Sequence, residues 1–132
     1  MMFAADSKVV LVVDDEVFAR LFAVQIFLDE GFTVLEAADA HEGLAVLEDN
    51  DDVSLLFTDL SMPGTMDGMG LIEKVRADRP DICLVATSGL VSPTPDKFEG
   101  GGRFLPKPYT AHALMETIRQ VSAECLHGSR AA

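Results

Sequence analysis

Three aspartates stand where apolar runs of this chain stop. Asp14 and Asp15 follow Val9-Val10-Leu11-Val12-Val13, and Asp59 follows the run Val53–Thr58. A carboxylate left unpartnered in such a place costs several kcal/mol or takes up a proton, so each needs compensation. Lys107, held before Pro108, brings a cation, and Thr87 and Ser88 bring hydroxyls at the end of another apolar run. If these groups share one crevice, the carboxylates repel one another unless a hard cation joins them. Carboxylate and carbonyl oxygens with waters are the ligands Mg²⁺ prefers. An acid cluster, a metal, a hydroxyl and a lysine together suit a phosphoryl group, with metal and lysine neutralising its oxygens while one aspartate attacks.

Short apolar runs alternate with helical patterns and must position these groups. Lys8–Val13, Thr33–Ala37, Val53–Thr58, Ile82–Thr87 and Arg103–Leu105 read as strands. The first is apolar after its opening residue and rich in β-branching, the mark of a strand covered on both faces. Helices are expected over Glu16–Glu30, Ala40–Glu48, Gly68–Ala77 and Thr110–Leu126. Gly31 suits the C′ position of the first, and Asp67 can cap the third. A further short helix, brief or mobile, fits between Gly89 and Gly102 (residues 91–102), after Ser92 and Pro93 and before three glycines. Five strands alternating with five helices imply right-handed βαβ units and a parallel α/β sheet covered on both faces. Ligands of such sheets bind outside the carboxyl ends of the strands, where the acids stand.

At 132 residues the chain is expected to form a single domain, with a core over about 7–126 and a frayed tail at 127–132. A net charge of −12 argues against nucleic-acid binding and against docking on anionic membranes. No apolar run approaches membrane-spanning length, and the start lacks a signal-peptide pattern, which points to a cytoplasmic protein. Cys83 and Cys125 fit no metal-ligand or CxxC spacing and read as unpaired thiols in a reducing compartment.

The stretches VVDDE (Val12–Glu16), FTDLSMPGTMDG (Phe57–Gly68), VATSG (Val85–Gly89) and FLPKPY (Phe104–Tyr109) together resemble the receiver domain of two-component response regulators, of the single-domain chemotaxis-regulator type. Any one of them is unspecific; the four in this order and spacing span nearly the whole chain. The resemblance implies a flavodoxin-like, doubly wound sheet of order 2-1-3-4-5. It implies that Asp59 is the phosphoacceptor, taking its phosphoryl group from a sensor histidine kinase or a histidine phosphotransfer protein. Mg²⁺ would be held by Asp15, Asp59 and the backbone carbonyl of Ser61, with Asp14 acting mainly through metal-bound water. Lys107 would pair with the phosphoryl group, aimed by a cis Lys107–Pro108 bond. Ser88 would be the switch hydroxyl, coupled to Phe104; counting from the strand end favours Ser88, with Thr87 as the alternative.

Such a domain catalyses only its own phosphorylation and dephosphorylation, and its output is a protein-binding surface that contacts a downstream protein. The alternative is that the chain is the receiver part of a hybrid kinase or of a multidomain regulator. A phosphatase with an aspartate nucleophile is a remote alternative, since that class wants an acid two residues after the nucleophile and Ser61 stands there. Gly64, Thr65 and Met66 make the loop before Asp67 one residue longer than in many members. Met62 and Met66 are expected to pack that loop. Leu90, two residues after Ser88, is expected to hinder hydrolytic water and lengthen the acyl phosphate's life.

The first helix is apolar nearly all round. At 100° per residue Phe18, Phe22 and Ile26, with Ala19, Ala23 and Phe27, form its inward face. Val17, Leu21, Val24 and Leu28 then form an outward stripe, which is expected to dock the phosphodonor's helical domain or a second copy of the chain.

Overall fold

The computed structural model describes residues 8–61, 67–89 and 102–131, with side chains as far as residue 125 in the last span. The turn at Pro63-Gly64 with its extra residue, Met62, Met66, Leu90 and the short helix expected within 91–102 lie outside the described residues.

Five apolar runs form the strands β1 (Val9–Val13), β2 (Thr33–Ala37), β3 (Leu55–Asp59), β4 (Cys83–Ser88) and β5 (Arg103–Pro106). They pair in parallel in the order β2-β1-β3-β4-β5, the order the resemblance implied. The described residues also contain four helices: α1 (Val17–Asp29), α2 (Ala40–Asp49), α3 (Gly68–Asp78) and α4 (Ala111–Ala131). α4 runs past the end expected at Leu126, so 127–131 continue a helix rather than fray.

Alternation along each strand divides the core into two layers. Val10, Phe57 and Val85 face α1 and α4, meeting Phe27, Leu114 and Ile118. Leu11, Leu56 and Leu84 face α2 and α3, meeting Leu47, Leu71 and Ile72. Burying each such side chain contributes about 1.5–3 kcal/mol, enough to fix the sheet between its helices. Helix ends follow local chemistry. The side chains of Asp39 and Asp67 accept hydrogen bonds from the N–H groups of Glu42 (2.8 Å) and Gly70 (2.9 Å), each such cap supplying about 1 kcal/mol. α1 ends at Gly31, whose φ of 90° suits a residue without a Cβ.

Two expectations are corrected. The inward face of α1 consists of Ala23, Val24, Ile26 and Phe27, so Val24 is core and not part of an outward stripe. Phe18 and Phe22, expected inside, are exposed together with Val17, Leu21 and Leu28; Phe18 is 84% exposed. A helix apolar all round has no polar face to set its phase. The cysteines are also not free thiols: Cys83 at the start of β4 and Cys125 on α4 are joined by a disulfide. Packing of α4 over β4 brings their Cα atoms to 5.8 Å despite a sequence separation of 42, inside the usual bridging range.

Candidate functional site

The carboxyl ends of β1 and β3 lie side by side, with Val13 opposite Thr58. Asp14, just past β1, and Asp59, the last residue of β3, are therefore neighbours, and both are buried at 5% and 6% exposure. Asp15, the next residue, is exposed. Lys107 reaches back from the end of β5 and places Nζ 3.1 Å from Asp14 Oδ2 and 3.2 Å from Asp59 Oδ2. The Lys107–Pro108 bond is cis, and the Lys107 N–H donates to the Ser88 carbonyl at 3.1 Å.

Backbone donors fix the opposite carboxylate oxygens. The Glu16 N–H donates to Asp14 Oδ1 at 2.9 Å, and the Ser61 N–H donates to Asp59 Oδ1 at 3.0 Å. Burial is the largest influence on Asp14 and raises its pKa, against the opposing pull of the Glu16 N–H and Lys107. Burial draws the Lys107 pKa down, but Asp14 and then Asp59 outweigh it, so the net shift is upward and the ammonium is retained.

The two candidate hydroxyls separate. Thr87 lies opposite Asp59 in the β3–β4 pairing, but its Oγ1 is buried without a hydrogen-bond partner among the described residues. Ser88 Oγ lies 3.4 Å from Ser61 Oγ, beside the segment that follows Asp59. Phe104 sits opposite Ala86 on β5, half-buried against the layer that holds Leu84 and Ala86.

Three residues that the sequence reading passed over belong to this region. Arg20 on α1 donates through Nη1 to the Asp14 carbonyl at 2.7 Å and through Nε to Glu36 Oε1 at 3.1 Å, tying helix, acid turn and β2 together. Tyr109 packs its ring against Phe57 and Phe22, with centroids 5.9 and 5.6 Å away. Burial first, then the negative charges of Asp14 and Asp59, push its phenol pKa up, so it stays protonated. Gly68, the first residue of α3, sits so close to the acceptor strand that a Cβ there would lie 1.9 Å from the Asp59 carbonyl oxygen. The pairing of Asp67 and Gly68 signals a helix start, but nothing in their spacing reveals that contact.

Carboxylate oxygens of Asp14, Asp15 and Asp59 all lie within 4.8 Å of one another. This all-oxygen donor set, with one ammonium against three acids, fits a hard divalent cation such as Mg²⁺ and does not fit a soft metal.

The chain matches the sequence profile of the response regulator receiver domain over residues 10–119. The sensor kinase CckA of Brucella abortus (strain 2308) is 33% identical over 123 residues, which cover 87% of this chain and 12% of CckA. A chemotaxis protein CheY homolog of Campylobacter jejuni is 33% identical over 117 residues, 84% of this chain and 89% of its own. The chain thus spans a small part of some relatives, 26% in the case of the Rhizobium meliloti transcriptional regulatory protein DctD, and most of others. Among solved structures, NtrX from Brucella abortus superposes with a TM-score of 0.83 at 28% identity, over 93% of this chain and 29% of NtrX. Vibrio cholerae CheY4 gives 0.75 at 25% identity, over 86% of this chain and 98% of CheY4. The described strand order and acid crevice accord with these matches: the chain belongs to the response regulator receiver domain family.

Proposed function

We propose that Asp59 accepts a phosphoryl group from the phosphohistidine of a sensor histidine kinase or a histidine phosphotransfer protein. The observation that carries this reading is the placement of Lys107 Nζ between Asp14 and Asp59 at the sheet's carboxyl edge. An Asp59 carboxylate oxygen attacks phosphorus, the P–N bond breaks, and its electron pair stays on the imidazole of the donor. Lys107 moves from carboxylate to phosphoryl oxygen and neutralises the charge transferred. Asp15, Asp59 and the Ser61 carbonyl would hold Mg²⁺, with Asp14 behind a bound water. When bound, the ion supplies Lewis-acid neutralisation of the phosphoryl oxygens.

Ser88 is the hydroxyl that answers the new phosphoryl oxygen, and its contact with Ser61 supports it over Thr87. Its movement and that of Phe104 bias the chain between two conformations that differ in affinity for a downstream protein. The exposed apolar face of α1, made by Val17, Phe18, Leu21, Phe22 and Leu28, supports docking of the donor's helical domain there, or of a second copy of the chain. No helix among the described residues is long and apolar enough to cross a membrane; we place the protein in the cytoplasm, where kinase phosphodonors act.

A second reading is favoured by the small share that the chain covers of CckA and DctD. In it, the same phosphoacceptor chemistry serves a hybrid kinase or a multidomain regulator. Incubation with a phosphorylated histidine phosphotransfer domain tests the common core. Transfer to this chain should need Mg²⁺, stop with a chelator, and vanish in Asp59→Asn. Undiminished transfer to Asp59→Asn would overturn the assignment.

A further inference from the structure

α4 carries its buried side chains early. Leu114, Met115, Ile118 and Val121 enter the core, whereas none of the described side chains beyond Val121 is buried. The helix nevertheless continues to Ala131. Among the described residues two ties hold its far half: the Cys83–Cys125 disulfide to β4, and an ion pair of Arg103 on β5 with Glu124. The ion pair is solvent-exposed on both sides, so it supplies at most about 1 kcal/mol. Among the described residues the covalent tie is therefore the stronger hold of this part of the helix on the sheet.

Both cysteines are half-buried, and both line a groove at the amino edge of the sheet, with Lys8, Ser54, Asp81 and Ser122 around them. A small thiol or disulfide can reach the sulfurs from this groove. The thiolate is the species that exchanges. Disulfides in reducing compartments are as a rule transient or redox-sensing rather than permanent staples.

We propose that Cys83 and Cys125 form a reversible redox clasp that fastens the end of α4 to β4. In the forward direction one cysteine thiolate attacks a low-molecular-weight disulfide of the glutathione class, releasing one thiol and leaving a mixed disulfide. The second cysteine thiolate then displaces the other thiol. The protein dithiol loses two electrons and two protons, and the small disulfide gains both. A dithiol reductant reverses the sequence. The clasp sits at the opposite end of β4 from Ser88 and does not depend on phosphoryl chemistry at Asp59.

The test combines mass analysis and amide hydrogen exchange on the full chain. After treatment with oxidised glutathione, the intact protein should be lighter by two hydrogens than after dithiothreitol, and should resist alkylation. Exchange of backbone amides in 122–131 should be roughly tenfold slower in the oxidised form, with the core strands unchanged. Cys125→Ser, which can form only a mixed disulfide at Cys83, should show the amide exchange of the reduced wild type under both conditions, and the reduced wild type itself provides the comparison if that variant folds poorly. Persistence of two alkylatable thiols after oxidised glutathione would overturn the proposal. So would an intermolecular disulfide, or a disulfide that leaves exchange in 122–131 unaltered.

Discussion

Replacing Lys107 by alanine asks whether its ammonium is what allows two buried carboxylates to sit side by side. Nζ lies 3.1 Å from Asp14 and 3.2 Å from Asp59. Removing one partner of a fully buried ion pair costs about 3–5 kcal/mol, because the charge left behind has lost both water and counter-ion. The lysine side chain keeps 23% of its surface in solvent, and screening reduces the figure to about 2–3 kcal/mol in Mg²⁺-free buffer near pH 7. The pH dependence has a definite sign. Burial raises the Asp14 pKa in the folded chain, so this carboxyl's unfavourable burial is felt as pH rises and relieved as it takes up its proton. The Lys107→Ala penalty should therefore be full near pH 7 and smaller at acidic pH, where Asp14 takes up its proton. At the alkaline end, burial lowers the Lys107 pKa but Asp14 and Asp59 raise it further, for a net increase above the ordinary 10.5. From neutral pH up to that value its contribution is thus undiminished, and it is lost as pH climbs through the folded-state pKa. Urea unfolding of wild type and Lys107→Ala, followed by circular dichroism at both acidic and neutral pH, measures the penalty directly. A penalty equal at the two pH values, or absent near pH 7, would refute the reasoning.

Other outcomes follow from the same geometry. Mg²⁺ at about 100 times its dissociation constant should raise wild-type stability by about 2.7 kcal/mol, and Asp15→Asn, an exposed position, should lose most of that gain in the same urea unfolding measurement. Gly68→Ala should destabilise the fold by at least about 2 kcal/mol in chemical denaturation, since the Asp59 backbone or the start of α3 must move to admit a Cβ. Leu21→Glu with Leu28→Glu should slow transfer from a phosphorylated donor domain by roughly tenfold while labelling by acetyl phosphate, which needs no docking, is unchanged; equal transfer rates would remove α1 from the interface.

Strands and helix starts were legible because the signals are local. Apolar runs that stop at an aspartate mark β1 and β3, and Asp67 caps the helix it precedes. Alternation cannot reveal which strand neighbours which, so the order of the sheet rested on the resemblance of four motifs. The acid cluster was legible for the same reason: Asp14, Asp15 and Asp59 are marked by where they stand, and Lys107 by the proline after it. The phase of α1 was not legible, because Val17, Phe18, Leu21 and Phe22 are as apolar as the residues that enter the core, and only the position of the sheet edge tells them apart. The disulfide was equally hidden, since pairing Cys83 with Cys125 requires knowing that α4 crosses β4. Arg20, Tyr109 and Gly68 act through packing contacts that residue type and spacing do not disclose, with a backbone carbonyl, a pair of rings and a missing Cβ as their partners.

The central claim concerns one side chain, and site-resolved chemistry tests it most directly. The chain is phosphorylated with acetyl phosphate in Mg²⁺, reduced with borohydride and mapped by peptide mass spectrometry. An acyl phosphate on an aspartate becomes homoserine under this treatment. The account predicts homoserine at position 59 alone, dependent on Mg²⁺ and lost with Asp59→Asn. Homoserine at position 14 or 15 in the wild type, or its absence from position 59 in a chain that has taken up phosphate, would contradict it.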